Sequence, residues 1–206
     1  MITSIQSSFL EYKMTILRNK KTSNSLFRQT MNEISYVVAS EVLKYLPYKK
    51  ITIQTPLVKT SGKVLAQQII LVPILRAGLG LLEGFIKLLP DAEKGHIGLY
   101  RDEQTYEPVE YLFKLPKTKN KKILVLDPML ATGNSSIAAI NLIKNKGVKT
   151  KDISLVSLLA APEGLKNITK YHKHLHIFTC KIDSKLNKDK FIVPGLGDAG
   201  DRYMGT

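Results

Sequence analysis

Tryptophan is absent from this chain, cysteine occurs once, and acids are scarce beside bases, 17 Asp and Glu against 31 Lys and Arg. Each shortage excludes something. The single cysteine, Cys180, cannot close an intramolecular disulfide, so a stapled secreted framework is excluded and a reducing cytosol is the expected compartment. In an apolar segment it reads as a small buried hydrophobe. Long hydrophobic runs are also missing. The longest, Ile69 to Leu75, is far too short to span a bilayer and ends at Arg76, so a membrane is not an expected partner. No basic region followed by a long apolar run opens the chain, and no secretory signal is expected. The formal charge of +14 raises nucleic acid as a partner. However, the cations are scattered lysines, with no aromatic-interleaved basic stripe and no recognisable nucleic-acid motif, so nucleic acid is not expected. Steering of a small polyanionic substrate uses the same field.

What is present centres on residues 121–147. The run Ile123 to Leu126 suits a buried strand of a parallel sheet, and Asp127 ends it. Ala138, Ala139, Leu142 and Ile143 then recur at helical spacing, with Gly147 as a stop. Between strand and helix lies Ala131-Thr132-Gly133-Asn134-Ser135-Ser136, a loop of small and hydroxyl-bearing residues. Unpaired amides and the helix dipole make such a loop a seat for phosphate, with Thr132, Ser135 and Ser136 as further donors. Asp127, at the C-terminal end of its strand, stands where sugar hydroxyls would find an acceptor. An ordinary turn capped by Thr132 or Ser135 is the plain alternative.

A second strand-loop-helix precedes it. Gln68 to Ile74 reads as a buried strand that runs into Arg76-Ala77-Gly78-Leu79-Gly80, and a helix from Leu81 to Leu89 closes at Pro90. Gly84 comes one residue late for a dinucleotide fingerprint begun by Gly78 and Gly80. Arg76, ending an apolar strand, needs an anion, either a ligand or a structural partner such as Glu83 or Asp91.

The remaining elements frame these two. Apolar positions mixed with bases in residues 1–22, then a stripe from Leu26 to Leu46 ended by Pro47, predict an N-terminal helical arm over about 1–47. Ile51 to Leu57 alternates as a strand and Thr60-Ser61-Gly62-Lys63 reads as a turn. His96 to Tyr100 is a short strand, and about 101–116 reads as a protruding hairpin of the kind that serves as a lid. Ile153 to Ala161 and Ile177 to Ile182 are strands flanking a helix opened by Pro162. His172, His174 and His176 raise a metal site but lack acidic or cysteine partners at motif spacing, which favours an exposed connection. Near the C-terminus, Gly195, Gly197 and Gly200 match G-x-G-x-x-G literally. Only six residues follow, so no phosphate-facing helix is expected there. A glycine-rich loop can instead present backbone donors and acceptors to a ligand.

Several strings carry a resemblance. D-P-M-L-A-T-G-x-S from Asp127 resembles the phosphoribosyl pyrophosphate (PRPP) motif of type I phosphoribosyltransferases, and its Asp-Pro start resembles the uracil phosphoribosyltransferase family. V-P-I-L-R-A-G-L-G at Arg76, Y-R-D-E-x-T at Arg101, A-A-P-E-G before Leu165 and I-V-P-G-L-G-D-A-G-D at Ile192 are similar to that family in the same order, from about Leu10 to the last residue. The resemblance implies a single 1–206 domain with a mostly parallel α/β sheet flanked by helices and a hood over the active site. It implies conversion of uracil and PRPP to UMP and diphosphate, with Mg2+ carried by PRPP. Arg76 and Arg101 are implied as diphosphate contacts. The run Asp127, Pro128, Met129, Leu130, Ala131, Thr132, Gly133, Asn134 and Ser135 is implied as the PRPP seat. Ile192, Gly197, Asp198 and Ala199 are implied to read uracil, with Asp198 also facing the ribose or the magnesium shell. Asp127, Arg76, Arg101 and Asp198 are the candidate catalytic residues, and a non-proline cis peptide near Arg76 is expected. Asn134 stands where the family usually has a second glycine, and its side chain is expected to narrow the loop mouth. A cytoplasmic homodimer or homotetramer is expected, and activation by a purine nucleotide such as GTP stays open. Two other readings also stay open at this point: a nucleotide-sensing regulator that binds RNA, and a purine as the base.

Overall fold

The computed structural model describes residues 1–101 and 108–206, Arg101 by its backbone alone. It begins with a strand that the sequence pattern did not reveal, β1 (Ile2–Ser4), because three residues are too few to show alternation. Two helices follow, α1 (Ser8–Arg18) and α2 (Asn24–Leu43), capped by the Ser7 and Ser23 hydroxyls, which accept from the Leu10 and Leu26 amides. The α2 stripe of Phe27, Met31, Ile34, Val38 and Val42 is fully buried.

Strands β2 (Tyr48–Gln54) and β3 (Lys59–Leu65) pair only with each other, as an antiparallel arm in register from Tyr48↔Leu65 to Gln54↔Lys59. This corrects the expected turn. Residues 60–63 lie inside β3, and the reversal occurs at 55–58, where Thr55 Oγ1 accepts from the Leu57 and Val58 amides. A hydroxyl-centred turn of this kind gives a weaker sequence signal than a glycine does.

The core elements are β4 (Gln68–Leu75), α3 (Leu79–Leu88), β5 (Glu93–Lys94), β6 (His96–Arg101) and β7 (Pro108–Lys114), then β8 (Lys121–Leu126), β9 (Met129–Leu130) and α4 (Asn134–Asn145). They continue with β10 (Ile153–Ala160), α5 (Pro162–Tyr171), β11 (His176–Ile182), β12 (Lys185–Leu186), β13 (Ile192–Val193) and α6 (Ala199–Met204). Helix α3 starts two residues before the expected Leu81, and a short helix, α6, begins at Ala199, ahead of the last of the three C-terminal glycines. Strands β6 and β7 form the two sides of the expected hairpin, and residues 102–107 lie outside the described residues.

One sheet runs in the order β1-β11-β10-β8-β4-β6-β7, parallel except for the β6–β7 pair. Two apolar clusters cover its faces. One joins α1, α2 and α3 to Leu71, Leu124, Val156 and Phe178, and the other joins α4 and α5 to Ile70, Ile123, Val125 and Leu155. The chain leaves β4 through α3 on one face and leaves β8 through α4 on the other. Strands β4 and β8 are neighbours, paired from Gln68↔Lys121 to Pro73↔Leu126. Their carboxyl ends therefore flank a topological switch point, where an open α/β sheet leaves a crevice for ligands.

Candidate active site

Asp127 leaves β8 into this crevice. Its carboxylate accepts from the Ser136 hydroxyl at 2.7 Å and, more weakly, from the Met129 amide at 3.5 Å. Burial pushes the carboxyl up to about 6, against the pull of those two donors. Ser136 is itself buried, and its hydroxyl is engaged by Asp127, beside which it lines the crevice.

The loop into α4 turns at Gly133, whose φ of +84° strains any residue with a Cβ. Neither Thr132 nor Ser135 caps the helix in the conventional way. Gly133 occupies the cap position without a side-chain bond, and Thr132 Oγ1 reaches the Asn134 amide only at 3.4 Å. Asn134 does not narrow the loop mouth. Its Oδ1 accepts from Asn167 Nδ2 at 3.1 Å, and the same Nδ2 donates to the Thr132 carbonyl at 2.9 Å, so its side chain is engaged by α5. The loop also rests on Gly164 at the start of α5, where an added Cβ would lie 2.2 Å from the Ala131 carbonyl oxygen. This close approach gives the A-P-E-G string a physical reason.

Arg76 follows a cis Leu75–Arg76 peptide bond. Its anion in the free protein is Asp201, at 2.7 Å, with Thr206 Oγ1 at 3.2 Å, and not Glu83 or Asp91. Both partners are about half exposed, so the pair is weak enough to yield to a ligand. Asp198 caps α6 by accepting from the Asp201 amide at 2.9 Å.

Two cavities meet here. The larger, about 430 Å³, is lined by Arg76, Asp127, Met129, Ala131, Thr132, Gly133, Ser135 and Asp198 among others. The smaller, about 200 Å³, is lined by Ile192, Gly197, Asp198 and Ala199 and by Phe191. Ala77, Met129, Ala131, Asp198 and Gly200 belong to both walls, so the two spaces lie side by side.

Three residues of the expected PRPP seat are not brought to these walls. Pro128 gives its carbonyl to the Leu158 and Leu159 amides, Leu130 is buried in the core on the α4 side, and Asn134 faces α5. The Arg101 side chain lies outside the described residues. In the other direction, Tyr100 and Tyr111, with ring centroids 6.4 Å apart, join the wall of the larger cavity. Their sequence signal was their placement on opposite strands of the hairpin.

The histidines do not converge. His172 is buried at the end of α5, which corrects the expectation of an exposed connection; His174 is exposed; and His176 stacks on Phe178 with Nε2 2.9 Å from Thr3 Oγ1. Burial, with the nearby N-terminal amine and Lys122, brings His176 down to about 4. Among the described residues, no group of three or more His, Cys, Asp or Glu is placed to hold a metal, and no helix is long and apolar enough to cross a membrane. Cys180 is buried, and burial raises its thiol to about 12, which suits a packing residue.

A mostly parallel sheet flanked by helices, with a glycine-turned loop at its switch point and a second cavity beside it, defines a type I phosphoribosyltransferase fold. A hypoxanthine-guanine phosphoribosyltransferase from Bacillus anthracis shares that fold, with a TM-score of 0.52 at 11% identity over 78% of this chain and 80% of that one. A family model described as uracil phosphoribosyltransferase matches residues 4–206. Proteins named uracil phosphoribosyltransferase from Clostridioides difficile and Streptococcus thermophilus are 47% and 48% identical over 96% and 98% of this chain, and 94% and 97% of their own lengths. The AQ2163 protein of Aquifex aeolicus superposes with a TM-score of 0.92 at 36% identity, over 98% of this chain and 97% of that one. The chain belongs to the uracil phosphoribosyltransferase family, whose members are phosphoribosyl-transferring glycosyltransferases.

Proposed function

We infer that this chain transfers the phosphoribosyl group of PRPP to N1 of uracil, giving UMP and diphosphate, and that the two adjoining cavities divide the substrates between them. The observation that carries the reading is that the two cavities adjoin at Asp198, with a hydroxyl-bearing loop and a buried acid on one side and a glycine-rich backbone wall on the other. The amides at the start of α4, with Thr132 and Ser135, seat the 5′-phosphate. Asp127 accepts from the ribose hydroxyls and is held for that task by Ser136. Arg76 exchanges Asp201 for the diphosphate, and Arg101 is assigned a second contact with it. Positive charge develops at C1′ as the bond to diphosphate loosens, so positioning and preorganised charge do most of the catalysis. Ile192, Gly197 and Ala199 read the base.

The donor set fits a magnesium ion that arrives on PRPP. Asp198 belongs to the walls of both cavities, and a Mg2+ site is commonly one or two carboxylates plus substrate phosphates and water. The chemistry the ion supplies there is neutralisation of charge on the leaving diphosphate. The same reading places the protein in the cytoplasm as a homodimer or homotetramer. The assembly is supported by Ile53, Leu57 and Val58, which stand exposed on the β2–β3 arm.

The test is UMP formation from labelled uracil with PRPP and magnesium, beside cytosine, hypoxanthine and guanine. Turnover with uracil alone is expected. Turnover with a purine would overturn the base assignment, and none with any base despite PRPP binding would overturn the reaction.

A further inference from the structure

The loop assigned to uracil has little regular structure of its own, yet Gly195 and Leu196 are buried and their peptide groups need partners. Three side chains remote from the loop supply them. Arg18, the last residue of α1, donates from Nη1 to the Gly195 carbonyl at 2.8 Å. It also grips Asp183 with both forks, Nη1 to Oδ2 at 2.8 Å and Nη2 to Oδ1 at 2.6 Å. Asp183 in turn accepts from the Gly195 amide at 2.9 Å, so the two peptide groups that flank the Gly195 Cα are both held by a single ion pair. Arg202, in α6, donates to the Leu196 carbonyl at 2.7 Å. Its other bonds reach the Leu17 and Asn19 carbonyls, and its guanidinium lies 4.4 Å from the centroid of the Phe27 ring.

None of the three lines the base cavity, whereas Gly197 does. A trans peptide is planar, with its C=O and N–H pointing in opposite directions. Holding the Leu196 oxygen towards Arg202 therefore sends the Gly197 N–H the other way, towards the cavity. Among the described residues that amide has no protein acceptor. It is left for a carbonyl oxygen of the base.

We propose that Arg18, Asp183 and Arg202 are positioning residues for the nucleobase: by holding the Gly195 and Leu196 carbonyls on the far side of the loop, they aim the free Gly197 N–H at uracil. The proposal rests on the assignment of residues 192–199 as the base reader. Its consequence is that the N-terminal helices, which carry no recognisable chemistry of their own, brace substrate selection. Guanidinium forks suit this task, since each must hold two or more oxygens in fixed directions, which an ammonium does less well.

The experiment measures kcat, both KM values and the uracil-to-cytosine preference for Arg18→Lys, Asp183→Asn and Arg202→Lys. Gly197→Ala, strained at its φ of +81°, reports on the loop itself. The expected result is a rise in uracil KM of roughly tenfold, the scale of one misaligned hydrogen bond, with PRPP KM and kcat within about twofold and a weaker preference over cytosine. A general loosening of the fold would move both KM values together, and that outcome overturns the proposal. Unchanged uracil KM in the three variants also overturns it, and Gly197→Ala then separates the causes. A raised uracil KM there leaves the base reader standing without its clamp, and an unchanged one removes the base reader too. Arg202→Lys strands no buried acid, so it carries the test should the Arg18 or Asp183 variants prove insoluble.

Discussion

Asp127 is asked to be a carboxylate in a place that disfavours one, and replacing it with Asn separates the two demands. Burial lifts the carboxyl from 3.8 to about 6. A gap of roughly 2 pH units corresponds to about 3 kcal/mol. In the unfolded chain Asp127 loses its proton near pH 4, while in the folded protein it keeps it until about pH 6. Across that window the native state binds more protons, so stability falls as pH rises and remains lowered above pH 6. The Asn side chain is neutral throughout; its Oδ1 accepts from the Ser136 hydroxyl, and only the long 3.5 Å bond from the Met129 amide is given up.

Asp127→Asn should therefore leave the free protein close to wild-type stability at about pH 4 and up to about 3 kcal/mol more stable at about pH 8. For a domain of this size, that is a rise in Tm of roughly 6 to 12 °C at the higher pH. Turnover should move the other way, because the ribose hydroxyls lose their anionic acceptor. Thermal melts of both proteins across this range, at fixed protein concentration and without substrate, read the first effect, and UMP formation reads the second. A stability gap that does not change with pH, or a less stable Asn variant at pH 8, would refute the reasoning about burial. Full turnover would remove Asp127 from the ribose site.

Further outcomes follow from the same contacts. Ser136→Ala removes the donor that holds the Asp127 carboxyl down, so the acid limb of kcat/KM for PRPP, expected near pH 6 in the wild type, should move to higher pH. Arg76→Ala loses only a half-exposed ion pair, so stability should change by less than about 1 kcal/mol in a denaturant titration while PRPP KM rises. Gly164→Ala places a Cβ against the Ala131 carbonyl, so the phosphate loop must shift and PRPP affinity should fall by calorimetry while uracil selectivity is kept. Asn167→Ala frees the Thr132 carbonyl and Asn134, and should raise PRPP KM several-fold, on the scale of about 1 kcal/mol per lost hydrogen bond.

The parts of this molecule that were legible in its sequence are those whose cause is local. The α2 stripe, the buried β4, β8 and β10 and the loop after Asp127 each carry their pattern within a few residues, because helix and strand periodicity and loop chemistry act over that range. Strand β1 was not legible, since its pairing with β11 is all that makes it a strand. The turn of the β2–β3 arm was misplaced because Gly62 drew attention from Thr55, whose hydroxyl makes the turn.

The same division runs through the site. Residues proposed to touch substrate sit on consecutive loop positions, so they appear as strings, and Arg76, Asp127 and the 192–199 loop could be picked out together. Residues that aim them come from the far ends of the chain: Arg18 and Asp183 are 165 positions apart, and Arg202 reaches back to Leu17 and Asn19. No spacing rule links such pairs, because their proximity is a product of the sheet order, which sets β1 and α1 beside β11. The N-terminal helices thus read as packing elements until the fold brings them under the base loop. There a single bidentate ion pair gives Arg18 and Asp183 a direct hold on Gly195. If that hold governs uracil KM, determinants of base selection in this family extend well outside its recognisable motifs.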